Sequence, residues 1–363
     1  MSTAATTANA DERRVARLEH DDSLLELHGL SKHFPIVRGI FSSIRGLNRA
    51  VDEVSFTVRA GETVGLVGES GCGKTTVGRC IVRAYETTAG EIVYRRSDGD
   101  AVDLAPMSVD EIRPYRREIR MIFQDPYSSL NPRMTVFEGI SEVLRVNRIC
   151  PPREMRDRVQ DLLERVGLRP EYMQRYPHAF SGGERQRIVI ARALVTNPRL
   201  VVCDEAVSAL DVSIRGQILN LLEELQEELD LTYLFISHDL SVIRHICDRI
   251  VVMYVGKVVE IADSLDLYTS PAHPYTEALM AAVPVSDPRL RDRRGRLRLK
   301  GEVADSSNPP SGCYFHPRCP YAQERCRTET PPLREIEAGR HVACHFSESL
   351  TLRGVLDRPS SVG

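Results

Sequence analysis

Gly68-Glu-Ser-Gly-Cys-Gly-Lys74-Thr75 fills every position of the phosphate-loop pattern G-x-x-x-x-G-K-[ST], and its flanks suit it. The apolar run Glu62–Val67 before it reads as a short buried strand, and Thr76–Val82 after it starts a helix. A strand, a glycine-rich turn and a helix N-terminus together make a cradle for anions. Gly71 and Gly73 let the backbone amides turn toward phosphate. Lys74 can reach the β- and γ-phosphates, and Thr75 can offer its hydroxyl to Mg²⁺. The stretch lacks G-x-G-x-x-G, so a dinucleotide-binding turn is disfavoured.

Two downstream segments extend this chemistry. Leu200-Val-Val-Cys-Asp204-Glu205 is an apolar run ending in two carboxylates, the form of a buried parallel strand whose C-terminal end carries chemistry. Asp204 can hold Mg²⁺ through water, and Glu205 can orient or deprotonate an attacking water. Phe180-Ser181-Gly182-Gly183-Glu184-Arg185-Gln186-Arg187 leads into a helical stretch, Gln186–Leu194. It offers phosphate a second helix N-terminus.

A phosphate loop, a Ser-Gly-Gly turn and an Asp-Glu strand in this order resemble the ABC-transporter ATPase family, over about Leu24 to His345. The resemblance implies an α/β fold: a RecA-like P-loop core with an antiparallel β edge and an inserted helical subdomain. It implies that Phe34 stacks on adenine and that Gly68, Glu69, Ser70, Gly71, Cys72, Gly73, Lys74, Thr75 and Thr76 bind ATP. Phe123-Gln124 matches the family's Q-loop, Ser208-Ala-Leu-Asp211 its D-loop and His238 its switch histidine. Glu205, His238 and Gln124 are then catalytic, and Thr75, Gln124 and Asp204 hold Mg²⁺. In this family two cassettes pair head to tail, so Ser181, Gly182, Gly183 and Glu184 would meet the ATP of the opposite chain. Two positions depart from the pattern: Glu184, where Gln is commoner, and Ala206, where Pro is commoner.

The chain has 363 residues, 42% hydrophobic, with a net charge of −3. That length suits about two domains, and the charge makes no electrostatic case for nucleic acid. Residues 1–22 read as a disordered tail without the apolar core of a signal peptide. No run of about 18 apolar residues is present, so any membrane role comes through a partner, and a cytosolic chain with reduced thiols is expected. The expected organisation is a nucleotide-binding domain over 23–262, with a helical subdomain at about 126–193, an extension over 263–347 and a tail over 348–363. Leu24–Leu30 and Val51–Val58 read as edge strands joined by a loop over Val37–Arg49. Ile119–Phe123, Thr232–Ile236 and Arg249–Met253 read as strands, and Ser213–Leu229 as an amphipathic helix. Arg296–Lys300 alternates basic and apolar residues like a strand, inside an Arg-rich stretch from Arg289 to Arg298 read as solvated.

The extension narrows the family. Thr269-Ser-Pro-Ala-His-Pro-Tyr-Thr-Glu-Ala-Leu and Pro-Pro-Ser-Gly-Cys-Tyr-Phe-His-Pro-Arg-Cys-Pro resemble the tail of ATPase subunits of oligopeptide/dipeptide ABC importers, with the F-type subunit of the D/F pair the better match. Asp125-Pro-Tyr-Ser-Ser-Leu-Asn-Pro points the same way. The resemblance implies ATP hydrolysis that energises peptide import, two transmembrane permease subunits and a paralogous ATPase as heterodimer partner. It implies an extracytoplasmic peptide-binding protein upstream and a peripheral place on the cytoplasmic face of the inner membrane. Importers of nickel and peptide-like solutes share this tail; a soluble ABC protein acting on nucleic acid and a non-hydrolysing cassette are the rival classes. Cys313, Cys319, Cys326 and Cys344 lie in the extension as C-x5-C-x6-C-x17-C. Some members of the family hold a [4Fe–4S] cluster in the matching tail, which makes these four the expected ligands. Zinc, with His316, His341 or His345 nearby, and no metal at all stay open; the spacings are not short zinc knuckles.

Overall fold

The structure, a computed structural model, describes residues 23–38, 43–282 and 301–356. The N-terminal tail, the expected strand at 296–300 with its Arg-rich surroundings, and residues 357–363 lie outside the described residues.

Two sheets organise the chain. The larger has eight strands in the order β11-β12-β10-β9-β3-β8-β7-β6. These are β3 (Thr63–Val67), β6 (Ile119–Ile122), β7 (Leu200–Asp204), β8 (Thr232–Ile236), β9 (Arg249–Tyr254), β10 (Lys257–Asp263), β11 (Arg334–Glu337) and β12 (Arg340–Val342). The strands β9, β3, β8, β7 and β6 are parallel. In β3, β7, β8 and β9 every residue is buried, which is why these segments read as continuous apolar runs rather than alternating ones. The strand order places the C-terminal ends of β3, β7 and β8 side by side, the usual crevice for a ligand in such a sheet.

The smaller, antiparallel sheet has the order β2-β1-β4-β5, with β1 (Ser23–Arg38), β2 (Ser43–Arg59), β4 (Ala89–Arg95) and β5 (Ala101–Asp103). Here the expectation of a loop over Val37–Arg49 is corrected. Strand β1 runs to Arg38 and β2 begins at Ser43, with Phe34 opposite Asn48 and Ile36 opposite Gly46. Register shifts between Leu27 and Leu30, Leu30 and Lys32, and Lys32 and His33 break the alternation a sequence pattern depends on.

Helices cover much of residues 126–194. Val136–Asn147 opens on a capping box between Thr135 and Glu138, and Pro152–Arg165 on a proline in its first turn. Gly182–Leu194 opens on a second capping box, between Ser181 and Glu184. Val136, Ile140, Val159, Leu163 and Ile188 pack in one buried cluster with the parallel sheet. Among the described residues no helix is long and apolar enough to cross a membrane.

Strand β12 pairs with β10, so residues after 300 complete the large sheet. A buried charge ties this join. Glu260 is fully buried and accepts from the amides of Ala272 (2.8 Å) and His273 (2.9 Å) and from Arg340 Nη2 (3.1 Å). Burial raises the carboxyl pKa, and these three donors oppose that shift.

Candidate functional site: a nucleotide pocket at the strand ends

Beyond β3 the chain makes the tight turn its sequence announces. Gly68 and Gly73 have φ of 149° and 105°. A Cβ on Gly68 would lie 2.2 Å from the Met253 carbonyl oxygen, and one on Gly73 would lie 2.0 Å from that of Ala50. Only glycine combines that backbone with that approach. The helix Lys74–Ile81 follows, its N-terminus at the pocket.

The pocket has a volume of about 570 Å³. Phe34, Ser70, Gly71, Gly73, Lys74, Thr75, Thr76, Gln124, Glu205 and His238 all line it, so five separate parts of the chain meet there. Lys74 is buried and its Nζ donates to the carbonyls of Gly68 (2.7 Å) and Glu69 (3.0 Å), with Cys72 Sγ at 3.6 Å. Phe34 stands edge-on to Tyr85, with ring centroids 5.5 Å apart.

At the end of β7, Thr75 Oγ1 donates to Asp204 Oδ1 at 2.9 Å. Asp204 is 3% exposed, and burial pushes its carboxyl pKa up. A bound cation would oppose that shift. Glu205 has φ of 50°, a left-handed conformation uncommon for a non-glycine residue. Its two oxygens are both engaged: Oε2 accepts from Gln124 Nε2 at 2.6 Å, and Oε1 lies 2.9 Å from His238 Nδ1. The carboxylate is thereby held between β6's end and β8's end.

Several sequence-predicted residues stand apart from this pocket wall. Gly68 sits behind the loop against Met253. Glu69 turns its carboxylate to Arg318, and Cys72 is buried, its thiol pKa raised by desolvation. Ser181, Gly182, Gly183 and Glu184 do not line it. The Glu184 carboxylate accepts from the Ser181 amide (2.9 Å) and hydroxyl (2.8 Å), which lowers its pKa. Glu184 thus closes a capping box with Ser181, a role Gln can also fill. A Cβ on Gly183 would come within 2.7 Å of Ile214 Cγ2, so the turn packs on the helix Val212–Leu229, whose N-cap is Asp211. Ser208 Oγ donates to the Glu205 carbonyl at 2.9 Å. Asn48 and Ala50 on β2 also line the pocket; no local motif marks them.

The iron–sulfur expectation, and zinc with it, is corrected. Cys313, Cys319, Cys326 and Cys344 do border one cavity, of about 20 Å³, room for a water but not for a four-iron cluster. Among the described residues no group of three or more His, Cys, Asp or Glu side chains is placed to hold a metal ion. Burial pushes the thiols of Cys313 and Cys319 up to about 11 and about 12, and raises that of Cys344, which disfavours thiolate. The nearby imidazoles face the backbone: His316 Nδ1 lies 3.0 Å from the Cys313 carbonyl and His345 Nε2 lies 2.9 Å from that of Glu329. These cysteines pack as small hydrophobes.

Comparison with known proteins agrees with this geometry. Residues 51–208 match the ABC transporter family, and residues 259–326 match the oligopeptide/dipeptide transporter C-terminal region. The oligopeptide transport ATP-binding protein AppF of Bacillus subtilis is 50% identical over 328 residues, covering 90% of this chain and 98% of that protein. A putative peptide import ATP-binding protein of Brucella ovis is 49% identical, over 88% of this chain and 97% of that protein. Neither is described as an iron–sulfur protein. A dimeric bacterial ABC transporter cassette, solved also in a post-hydrolysis state bound to ADP and Pi, is 27–28% identical with a TM-score of 0.57, covering 66% of this chain and 98% of its own. The chain belongs to the ABC-transporter ATPases, among the ATP-binding subunits that carry the oligopeptide/dipeptide-type C-terminal region.

Proposed function

We propose that this chain hydrolyses ATP to energise the import of oligopeptides or dipeptides through a membrane permease. The single observation that carries the reading is the contact of Gln124, Glu205 and His238 around one carboxylate, in the same pocket as Lys74. The relatives' description as peptide transport ATP-binding proteins supports the solute class. In this reading 23–262 form the nucleotide-binding domain, 126–193 its helical subdomain and 263–347 the extension.

Lys74 Nζ, now satisfied by two neutral carbonyls, gains stronger charge-assisted partners when the β- and γ-phosphates enter. Phe34, on the pocket wall, offers the adenine an aromatic ring to stack on. Glu205 takes a proton from the attacking water, while Gln124 and His238 hold its two oxygens. Thr75 and Asp204, hard oxygens already 2.9 Å apart at the pocket, together with Gln124 suit Mg²⁺, which takes one or two carboxylates plus phosphate oxygens and when bound neutralises phosphate charge.

Ser181, Gly182 and Gly183 lie off this chain's own pocket wall, as a contact made in trans requires. Two cassettes joined head to tail would place them on the partner's γ-phosphate, and loss of that phosphate would release the pair. The second cassette is a paralogue, the pair docks on two permease subunits at the cytoplasmic face of the inner membrane, and an extracytoplasmic binding protein delivers the peptide.

The test is ATP turnover of the assembled complex in lipid. Peptide-loaded binding protein should stimulate phosphate release. Stimulation by a nickel-loaded or other solute-loaded binding protein instead would move the chain to a related importer. Turnover that depends on nucleic acid and not on permease would refute the transport reading.

A further inference from the structure

Glu69, the second residue of the phosphate loop, is held from far along the chain. Arg318 grips its carboxylate with two parallel contacts, Nη1 to Oε2 at 2.7 Å and Nη2 to Oε1 at 3.0 Å. The Glu69 amide donates to the Tyr275 hydroxyl at 2.8 Å. The Arg318 side chain is 7% exposed, with its guanidinium 5.8 Å from the centre of the Tyr254 ring, which packs on Tyr275. A forked Arg–carboxylate pair whose guanidinium is buried is directional as well as strong.

The Glu69 carbonyl accepts from Lys74 Nζ at 3.0 Å, so contacts run from Arg318 through Glu69 to the phosphate-binding lysine. The same extension touches the opposite wall. Ser306 Oγ donates to Asn48 Oδ1 at 2.7 Å, and the Arg49 amide donates to the Ser306 carbonyl at 3.0 Å. A carboxylate in a loop that receives a triphosphate repels its ligand unless a cation neutralises it. Arg318 does so, and uses the same carboxylate as a fixed handle on the loop.

We propose that Arg318 is a positioning residue for ATP: through Glu69 it sets the loop's amides and Lys74, so that the C-terminal extension tunes nucleotide affinity. This rests on the nucleotide reading of the pocket.

The experiment measures equilibrium binding of a fluorescent ATP analogue to the full chain carrying Arg318→Met, Glu69→Gln and both, with thermal midpoints taken without nucleotide. Arg318→Met should weaken binding about tenfold, within the usual range of coupling between sites. The double variant should bind no more weakly than Arg318→Met, because both changes remove one interaction. In the assembled transporter the KM for ATP should rise with kcat little changed. Arg318→Lys carries the same test if the methionine variant does not fold: it should weaken binding in the wild-type background and have no effect beside Glu69→Gln. Wild-type affinity in the Arg318 variants, or losses that multiply in the double variant, would overturn the proposal. A wild-type chain that takes up no nucleotide would instead sink the reading of the pocket itself.

Discussion

Replacing Glu205 with Gln removes a base and little else. The amide oxygen can still accept from Gln124, whose Nε2 lies 2.6 Å from the present carboxylate. The amide nitrogen can donate to His238 Nδ1, now 2.9 Å away, if the imidazole carries its proton on Nε2. The left-handed backbone at 205 costs a glutamine what it costs a glutamate. What is lost is the proton acceptor, and a positioned general base contributes about 10²–10⁴ in rate. That is roughly 3–5 kcal/mol of barrier. The assay is single-turnover phosphate release by the assembled complex, with ATP affinity measured alongside. Affinity should hold, hydrolysis should fall by that factor, and the complex should accumulate as an ATP-bound closed pair. Hydrolysis at near-wild-type rate would refute the role of Glu205, and a loss of affinity equal to the loss of rate would show that shape, not the base, had been removed.

Ser181→Arg should abolish hydrolysis at the site whose Lys74 or its counterpart lies on the partner; nucleotide trapping in a complex with one tagged cassette reads this, and a defect in the mutant chain's own pocket would contradict head-to-tail pairing. Gly73→Val should leave the chain unable to bind ATP, since a Cβ there meets the Ala50 carbonyl at 2.0 Å; normal binding would show the loop free to rearrange. Burial pushes the His273 pKa down to about 3, and its Nδ1 accepts from the Tyr275 amide at 3.0 Å. The folded chain therefore keeps His273 neutral where the unfolded chain, at about 6.5, takes up a proton. Its contribution is fully present above about pH 6.5 and is lost as pH falls toward 3, by up to about 1.4 kcal/mol per pH unit. Chemical denaturation across that window should show a shallower pH slope in His273→Gln; identical slopes would refute the assignment.

What could be read from sequence was local. The strand, glycine turn and helix around Lys74 follow one another within a few residues, and each has a backbone reason. Asp204 and Glu205 end a run of buried β-strand, so their place at the strand's C-terminal end follows from that run. Other features depend on contacts that sequence spacing does not encode. The β1–β2 hairpin hides its alternation behind register shifts, and β12 joins β10 from 80 residues away. Arg318 reaches Glu69 across 249 residues. The cysteine spacing did announce proximity, since all four border one cavity. Proximity carries no ligand geometry, and burial among aromatic and proline side chains left those thiols as packing groups.

If the pocket under Gly68–Thr75 binds and hydrolyses ATP for transport, disabling it must show in turnover. The decisive comparison is phosphate release by the purified complex of this chain, a second cassette and the permease, with and without peptide-loaded binding protein, for the wild type and for Lys74→Ala in this chain. The wild type should show peptide-stimulated turnover, and the variant should lose both nucleotide binding and stimulation at this chain's site. Equal turnover and equal stimulation in the two would contradict that role of the pocket.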